Sequence, residues 1–221
     1  MQKIKLNNID KADIGFLLME IENSFGIQLE NEELKDIRTF GELCDCIINR
    51  IQLENTDDCT TQQSFYKLRN AIGNLFNTDA KTISPEDQLK VYFPRFRRRK
   101  NISALEKQLG FKLNLLAPPS WLVVSLIAIM LISFVGTFFS SYAFWIGLAA
   151  FIGLKIAFEN GTELKVKTFG ELAEKMTGEN YVKTRRNSNT YNKNEIEKII
   201  VKRFADTFDL KKSELTKEAL L

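Results

Sequence analysis

Apolar side chains recur at helical spacing in four stretches of this chain and run almost unbroken through a fifth. Ile14, Leu17, Leu18, Ile21 and Phe25 share one face at a period near 3.6, and Gly26 follows in the position that ends a helix. Asn31 to Leu34 reads as a short turn. Phe40, Leu43, Ile47 and Ile51 form a second stripe. Phe65, Leu68, Ile72, Leu75 and Phe76 form a third, ended by Asn77, and Ile196, Ile199, Ile200, Phe204 and Phe208 form a fourth. No run alternates convincingly at period two, so the pattern predicts an all-α protein. Helices this short are marginal alone and need each other's apolar faces.

The fifth stretch is different. Forty-two residues between Lys112 and Lys155 carry no charge, and Trp121 to Phe158 is strongly apolar, interrupted chiefly at Ser140, Ser141 and Tyr142 and, near its end, at Lys155. A hydrocarbon core about 30 Å thick needs roughly 20 apolar residues of helix, so the segment suits two short spans better than one. A helix at the surface of a soluble protein keeps a polar face, and neither arm has one. The expectation is a transmembrane helical hairpin at residues 120–158. Arg95, Arg97, Arg98, Arg99, Lys100, Lys107 and Lys112 precede it, and Lys155, Lys165 and Lys167 lie at or beyond its end, with no charge at the turn. The positive-inside bias then predicts a multi-pass protein of the inner (cytoplasmic) membrane with both termini cytoplasmic. Trp121 with Pro118 and Pro119 marks one interface, Tyr142 and Trp145 the other. The first span begins after 120 residues, so it is not expected to be a cleaved signal peptide.

The chain also repeats itself. Thr39-Phe40-Gly41-Glu42-Leu43 returns as Thr168-Phe169-Gly170-Glu171-Leu172, each opening a helix behind a threonine cap. Upstream, Ile21 to Ile27 has a counterpart in Leu105 to Phe111, at an offset of 84. Downstream, Phe65 to Phe76 followed by Ile83-Ser84-Pro85-Glu86 and Leu89 matches Ile196 to Phe208 followed by Leu215-Thr216-Lys217-Glu218 and Leu221, at an offset near 131. The jump in offset is about the length of the hairpin with its flanks. One unit written twice, with the hairpin inserted in the second copy, accounts for the order.

These residues resemble the acyl carrier proteins. A helix ending in Phe25-Gly26-Ile27, an acidic turn, and a Thr39-started apolar helix match the latter half of that fold, and the segment Phe65 to Leu89 is similar to its first helix and long loop. The resemblance implies two small carrier-like helical bundles. Either each unit is circularly permuted, or the first helix of one unit packs with the second helix of the next in ordinary order. Where the family carries its phosphopantetheine serine, in an Asp-Ser-Leu triplet, this chain has Asp10-Lys11-Ala12; the second copy has Pro94-Arg95-Phe96. Asp10 is retained, but Lys11 cannot accept the arm, so no cofactor is expected. The resemblance further implies that the acidic surface carrying Asp10, Asp13, Glu20 and Glu22 is where a partner docks, for example an enzyme of acyl or lipid metabolism.

Composition sharpens the division of the chain. Residues 1–93 hold 10 Lys+Arg against 16 Asp+Glu, while residues 94–119 hold 7 against 1. The domains then read as 1–94, a carrier-like helical domain; 95–119, a basic juxtamembrane segment and helix; 120–158, the transmembrane hairpin; and 159–221, a second carrier-like helical segment. Arg95, Arg97, Arg98, Arg99 and Lys100, placed just before an apolar span, point to anionic lipid headgroups rather than nucleic acid. There is no histidine, which excludes His-based catalysis and any His-ligated metal. Cys44, Cys46 and Cys59 read as reduced thiols packed as small apolar residues, and no metal is expected. The glycines form no phosphate loop. Paired carboxylates such as Glu195 and Glu197 read as solvated faces, and the polar run Arg185 to Thr190 as a flexible linker. The sequence therefore predicts no enzyme, but a non-catalytic membrane-anchored scaffold with degenerate carrier-like domains. The alternative is a working membrane-tethered carrier whose phosphopantetheine serine is displaced.

Overall fold

The structure, a computed structural model, describes residues 11–220. It is mostly helical, 65% by residue. Two compact units are present, one made of Met1–Asn70 with Leu172–Leu221, the other of Ala71–Glu171.

The first unit begins with α1 (Lys11–Phe25), α2 (Asn31–Lys35) and α3 (Phe40–Arg50). Helix α1 stops where Gly26 takes a φ of +66°, a left-handed conformation that costs other L-residues about 1–2 kcal/mol. A two-residue strand, β1 (Glu54–Asn55), follows, then α4 (Thr60–Phe76), which runs on into the second unit. After the hairpin the chain returns through α9 (Phe169–Glu179), α10 (Tyr181–Thr184), β4 (Thr190–Tyr191) and α11 (Lys193–Phe208). The core of this unit joins residues from opposite ends of the sequence. Leu17, Ile21 and Phe25 of α1, Leu43 and Ile47 of α3, Tyr181, and Ile196, Ile200 and Phe204 of α11 form one buried cluster. The Phe40 and Phe204 rings meet edge to face at 5.1 Å, as do Phe25 and Tyr181 at 5.4 Å. Strands β1 and β4 pair in parallel, Glu54 with Thr190 and Asn55 with Tyr191.

The second unit contains the end of α4, then α5 (Leu89–Tyr92), α6 (Arg98–Leu109), β2 (Leu116–Ala117), α7 (Ser120–Gly136), α8 (Ser141–Glu159), β3 (Glu163–Leu164) and the start of α9. Ile72, Ile83, Leu89, Phe93, Leu105, Leu113, Leu115 and Phe169 are buried. Phe76, Tyr92, Phe93 and Phe169 form a chain of ring contacts at 5.2–6.1 Å. Strands β2 and β3 pair antiparallel at the base of the helical hairpin, and Lys165 donates its N–H to the Leu115 carbonyl. The chain thus leaves for the hairpin and returns from it at adjacent points. Gly161 sits against the Ala117 and Pro118 backbone so closely that any Cβ would collide with it.

The two Thr-Phe-Gly-Glu-Leu segments make the same bonds. In the first unit Phe40 and Gly41 donate their N–H groups to the carbonyls of Ala219 and Lys217, and Thr39 bridges Leu220. In the second, Phe169 and Gly170 donate to Asp87 and Pro85, and Thr168 bridges Gln88. Each threonine hydroxyl accepts from the N–H of its glutamate, Glu42 or Glu171, at 3.2 Å. Each glutamate carboxylate accepts in turn from a backbone N–H just before the helix, at Arg38 and Lys167.

One expectation is corrected. A multi-pass membrane protein with both termini cytoplasmic is not supported, because among the described residues one helix, α8, is long and apolar enough to cross a membrane. It has 19 residues and a mean hydropathy of 1.6. Helix α7 has 17 residues. At 1.5 Å per residue that is about 25 Å, short of a core about 30 Å thick. The uncharged segment is long enough for two spans, but Pro119 precedes the first helix and the turn at residues 137–140 shortens the apolar run from within.

Candidate interaction surfaces

Helix α1 buries one stripe and leaves another facing out. On the exposed side Phe16 is 61% and Met19 48% accessible, with Asp13 beside them. Spacing of three places Asp13, Phe16 and Met19 on one face. Of the acidic residues singled out from the sequence, Asp13 is exposed on this face. Glu20 is paired with Arg203, and Glu22 accepts the Leu29 N–H at 2.5 Å, closing the loop after the helix. Asp10 lies outside the described residues, and Lys11 is the first residue of α1.

Beyond the end of α1 a cleft of about 620 Å³ is lined by Glu22, Asn23, Phe25, Ile27, Arg50 and Val182, among others. Arg50 is engaged by Glu33 and Glu30, and its guanidinium holds the Glu33 carboxyl below the usual range. Among the described residues its lining holds no serine, threonine or cysteine.

The polar run at residues 185–190 is not a free linker. Arg185 has a side chain that is fully buried. Its guanidinium donates to the hydroxyls of Thr60, Thr56, Thr190 and Tyr181, at 2.5, 2.8, 3.0 and 3.2 Å, and reaches the Asp58 carbonyl at 3.5 Å. Glu195 completes the cluster 4.0 Å away. Nor is Glu195 a solvated carboxylate: it accepts the N–H groups of Thr60 and Thr61, capping the start of α4, where an anion is favoured by the helix dipole. Tyr181 donates its hydroxyl to Glu195 at 3.3 Å, and burial raises the Tyr181 pKa. The cluster spends its polar groups inside the fold, fastening β1, β4, α4 and α10 together. The sequence signal for it is slight, since buried polar residues carry no apolar period.

In the second unit the surface is dominated by the hairpin. Helices α7 and α8 pack through small residues, with Ser133 and Ala150 buried and Gly147 facing Ser133. Ala157 is buried as well, and most of the remaining residues on the two helices are exposed. Among the described residues every exposed large apolar side chain lies on this hairpin except Phe16, Met19, Val91 and Phe96. The basic cluster before it divides in two. Arg98 is buried and donates to the carbonyls of Phe93 and Thr162, with Glu163 at 3.8 Å. Arg95 pairs with Glu163 at 3.0 Å, and Arg99 donates to the Asn160 side chain and the Glu159 carbonyl. Three arginines therefore tie the start of α6 to the end of α8 and the residues just after it. Arg97 and Lys100 are exposed.

The cysteines are separate. Cys44 is buried, and burial with Glu197 and Asp45 nearby pushes its thiol up to about 12; Cys46 is half-buried and raised for the same first reason, and Cys59 is exposed. Among the described residues no three Cys, Asp or Glu side chains gather as a metal site. No family model matches the chain, and neither does any curated protein or solved structure.

Proposed function

We propose that this protein is a non-catalytic scaffold held at a membrane by its apolar hairpin, with degenerate carrier-like helical units that dock a partner. The observation that carries the reading is the exposed surface of α7 and α8. Soluble proteins rarely expose contiguous apolar patches beyond a few hundred Å². Here two whole helices do so, packed on each other through a narrow seam of small residues, and lipid is the solvent in which that surface is stable. The anchor is monotopic: an antiparallel pair embedded from one side, its stem closed by β2 and β3, and needing no crossing by either helix.

Support for the carrier-like reading comes from the matching bonds of the two Thr-Phe-Gly-Glu-Leu segments. In the first unit α11 supplies the first carrier helix to α1 and α3, so that unit reads as circularly permuted. In the second the end of α4, then α6 and the start of α9, follow in ordinary order around the inserted hairpin. On α1, Phe16, Met19 and Asp13 offer a partner an apolar centre with an acidic edge. Such a partner would present a basic rim, and an enzyme of acyl or lipid metabolism is the class the resemblance favours. With Lys11 in the attachment position the chain carries no phosphopantetheine.

The test is extraction. Membranes from cells producing the full chain should retain it through washes in high salt and release it in detergent, because a buried apolar pair is not screened by ions. Release in high salt alone would reject the anchor.

A further inference from the structure

Phe96 is 96% exposed, at the corner of a tight turn closed by the Arg97 N–H bonding the Pro94 carbonyl at 3.1 Å. A phenylalanine held out on a turn is unusual in water, and Val91, one short helix earlier, is 73% exposed as well. This turn has a fixed place. Arg95 pairs with Glu163, Arg98 bonds Thr162, and Arg99 holds Asn160 and Glu159, so the turn lies beside the point where the apolar surface of α8 stops at Phe158. Trp121, which opens the other arm, is 70% exposed at the same end of the hairpin. Next to Phe96, Arg97 and Lys100 are exposed and enter no ion pair among the described residues.

We infer that the turn at residues 94–97 is a second, separate lipid contact, in which Phe96 inserts at the acyl boundary while Arg97 and Lys100 bind the phosphates of anionic phospholipid. The inference rests on the hairpin anchor, which fixes the level of the bilayer at the foot of α7 and α8. It also divides the labour within the basic cluster. Arg95, Arg98 and Arg99 position the turn, and Arg97 and Lys100 meet the headgroups. An exposed aromatic with flanking cations has an apolar body for the boundary and charges for the surface, and each Lys or Arg near an anionic leaflet shifts the equilibrium about fivefold.

Tryptophan fluorescence tests both steps in the full chain. In one variant Phe96→Trp is combined with Trp121→Phe and Trp145→Phe, so that position 96 carries the sole indole. In another, Trp121→Phe alone leaves Trp145 as the sole tryptophan. Both are reconstituted in vesicles of phosphatidylcholine, with or without phosphatidylserine, containing lipids brominated at shallow or deep acyl positions. The indole at position 96 should be quenched by shallow bromines and more so with phosphatidylserine. Adding Arg97→Gln and Lys100→Gln should shift the inserted population about thirtyfold back toward water at low salt, and less at high salt. Trp145 should be quenched whatever the lipid charge. Quenched Trp145 with a water-exposed indole at position 96 in both vesicle types would overturn the turn contact and leave the anchor standing. If neither is quenched, the anchor fails and the turn contact with it. Quenching at position 96 that is independent of phosphatidylserine would overturn the headgroup contact.

Discussion

Arg185→Ala should loosen the first unit locally and strongly. The substitution removes a fully buried guanidinium and strips a donor from three threonine hydroxyls, the Tyr181 hydroxyl and the Asp58 carbonyl. It also deprives the Glu195 carboxylate of the cation 4.0 Å away, at a site where the glutamate is 16% exposed. Breaking one partner of a buried pair costs about 3–5 kcal/mol. Glu195 keeps the Thr60 and Thr61 N–H groups and some water, so the lower end applies, about 3 kcal/mol. That is a large share of the roughly 5–15 kcal/mol typical of a domain. Hydrogen exchange followed by mass spectrometry reads it segment by segment. Amides at residues 54–61 and 187–196 should exchange about a hundredfold faster, since about 1.4 kcal/mol is a factor of ten, while α6 and the hairpin stay unchanged. Arg185→Lys should lose less, because one ammonium keeps the charge but cannot reach all five acceptors. Unchanged protection at residues 54–61 in the alanine variant would refute the role assigned to this cluster.

Three further tests reach other parts of the chain. Ile72 is fully buried, so Ile72→Ala should cost about 2–5 kcal/mol and speed proteolysis of the second unit; a silent substitution would remove α4 from its core. The raised Tyr181 pKa means that the folded protein holds the phenol proton more tightly than the unfolded chain. Its contribution is complete below the ordinary value of about 10 and is lost as pH rises through the elevated one, so Tyr181→Phe should lessen, beside the share of the buried Cys44 thiol, the alkaline loss of stability followed by circular dichroism. On the proposed carrier-like reading, Lys11→Ser places a hydroxyl where the acyl carrier proteins hold their phosphopantetheine serine: after incubation with a phosphopantetheinyl transferase its intact mass should rise by one phosphopantetheine and the parent's should not. A gain by the parent would mean a working carrier.

What the sequence reveals and what it hides divide along physical lines. Apolar periodicity locates α1, α3, α4 and α11, because each buries a stripe that must recur at the helical period. Two helix ends are equally visible, at Gly26 and Asn77, where the backbone turns left-handed; Asp209 ends α11 in the same conformation without a sequence signal. Polar side chains are hidden for the converse reason. Arg185 and Glu195 owe their burial to Thr56 and Thr60, more than a hundred residues away, and no local pattern records such a partner. The same holds for Glu20, taken up by Arg203, and for Arg98, folded inward onto Thr162.

Membrane length escapes the sequence for another reason. The uncharged run is long enough for two spans, but what limits a helix is where its backbone can no longer continue, and Pro119 and the turn at residues 137–140 set α7 at 17 residues. Hydropathy measures what a segment would rather touch, and helix termini decide how far it reaches. For this chain the first quantity argues for lipid and the second against a multi-pass path. The one-sided hairpin proposed above is consistent with both. On the proposed anchor, the three arginines that fasten α6 to the end of α8 would hold the hairpin at a fixed depth.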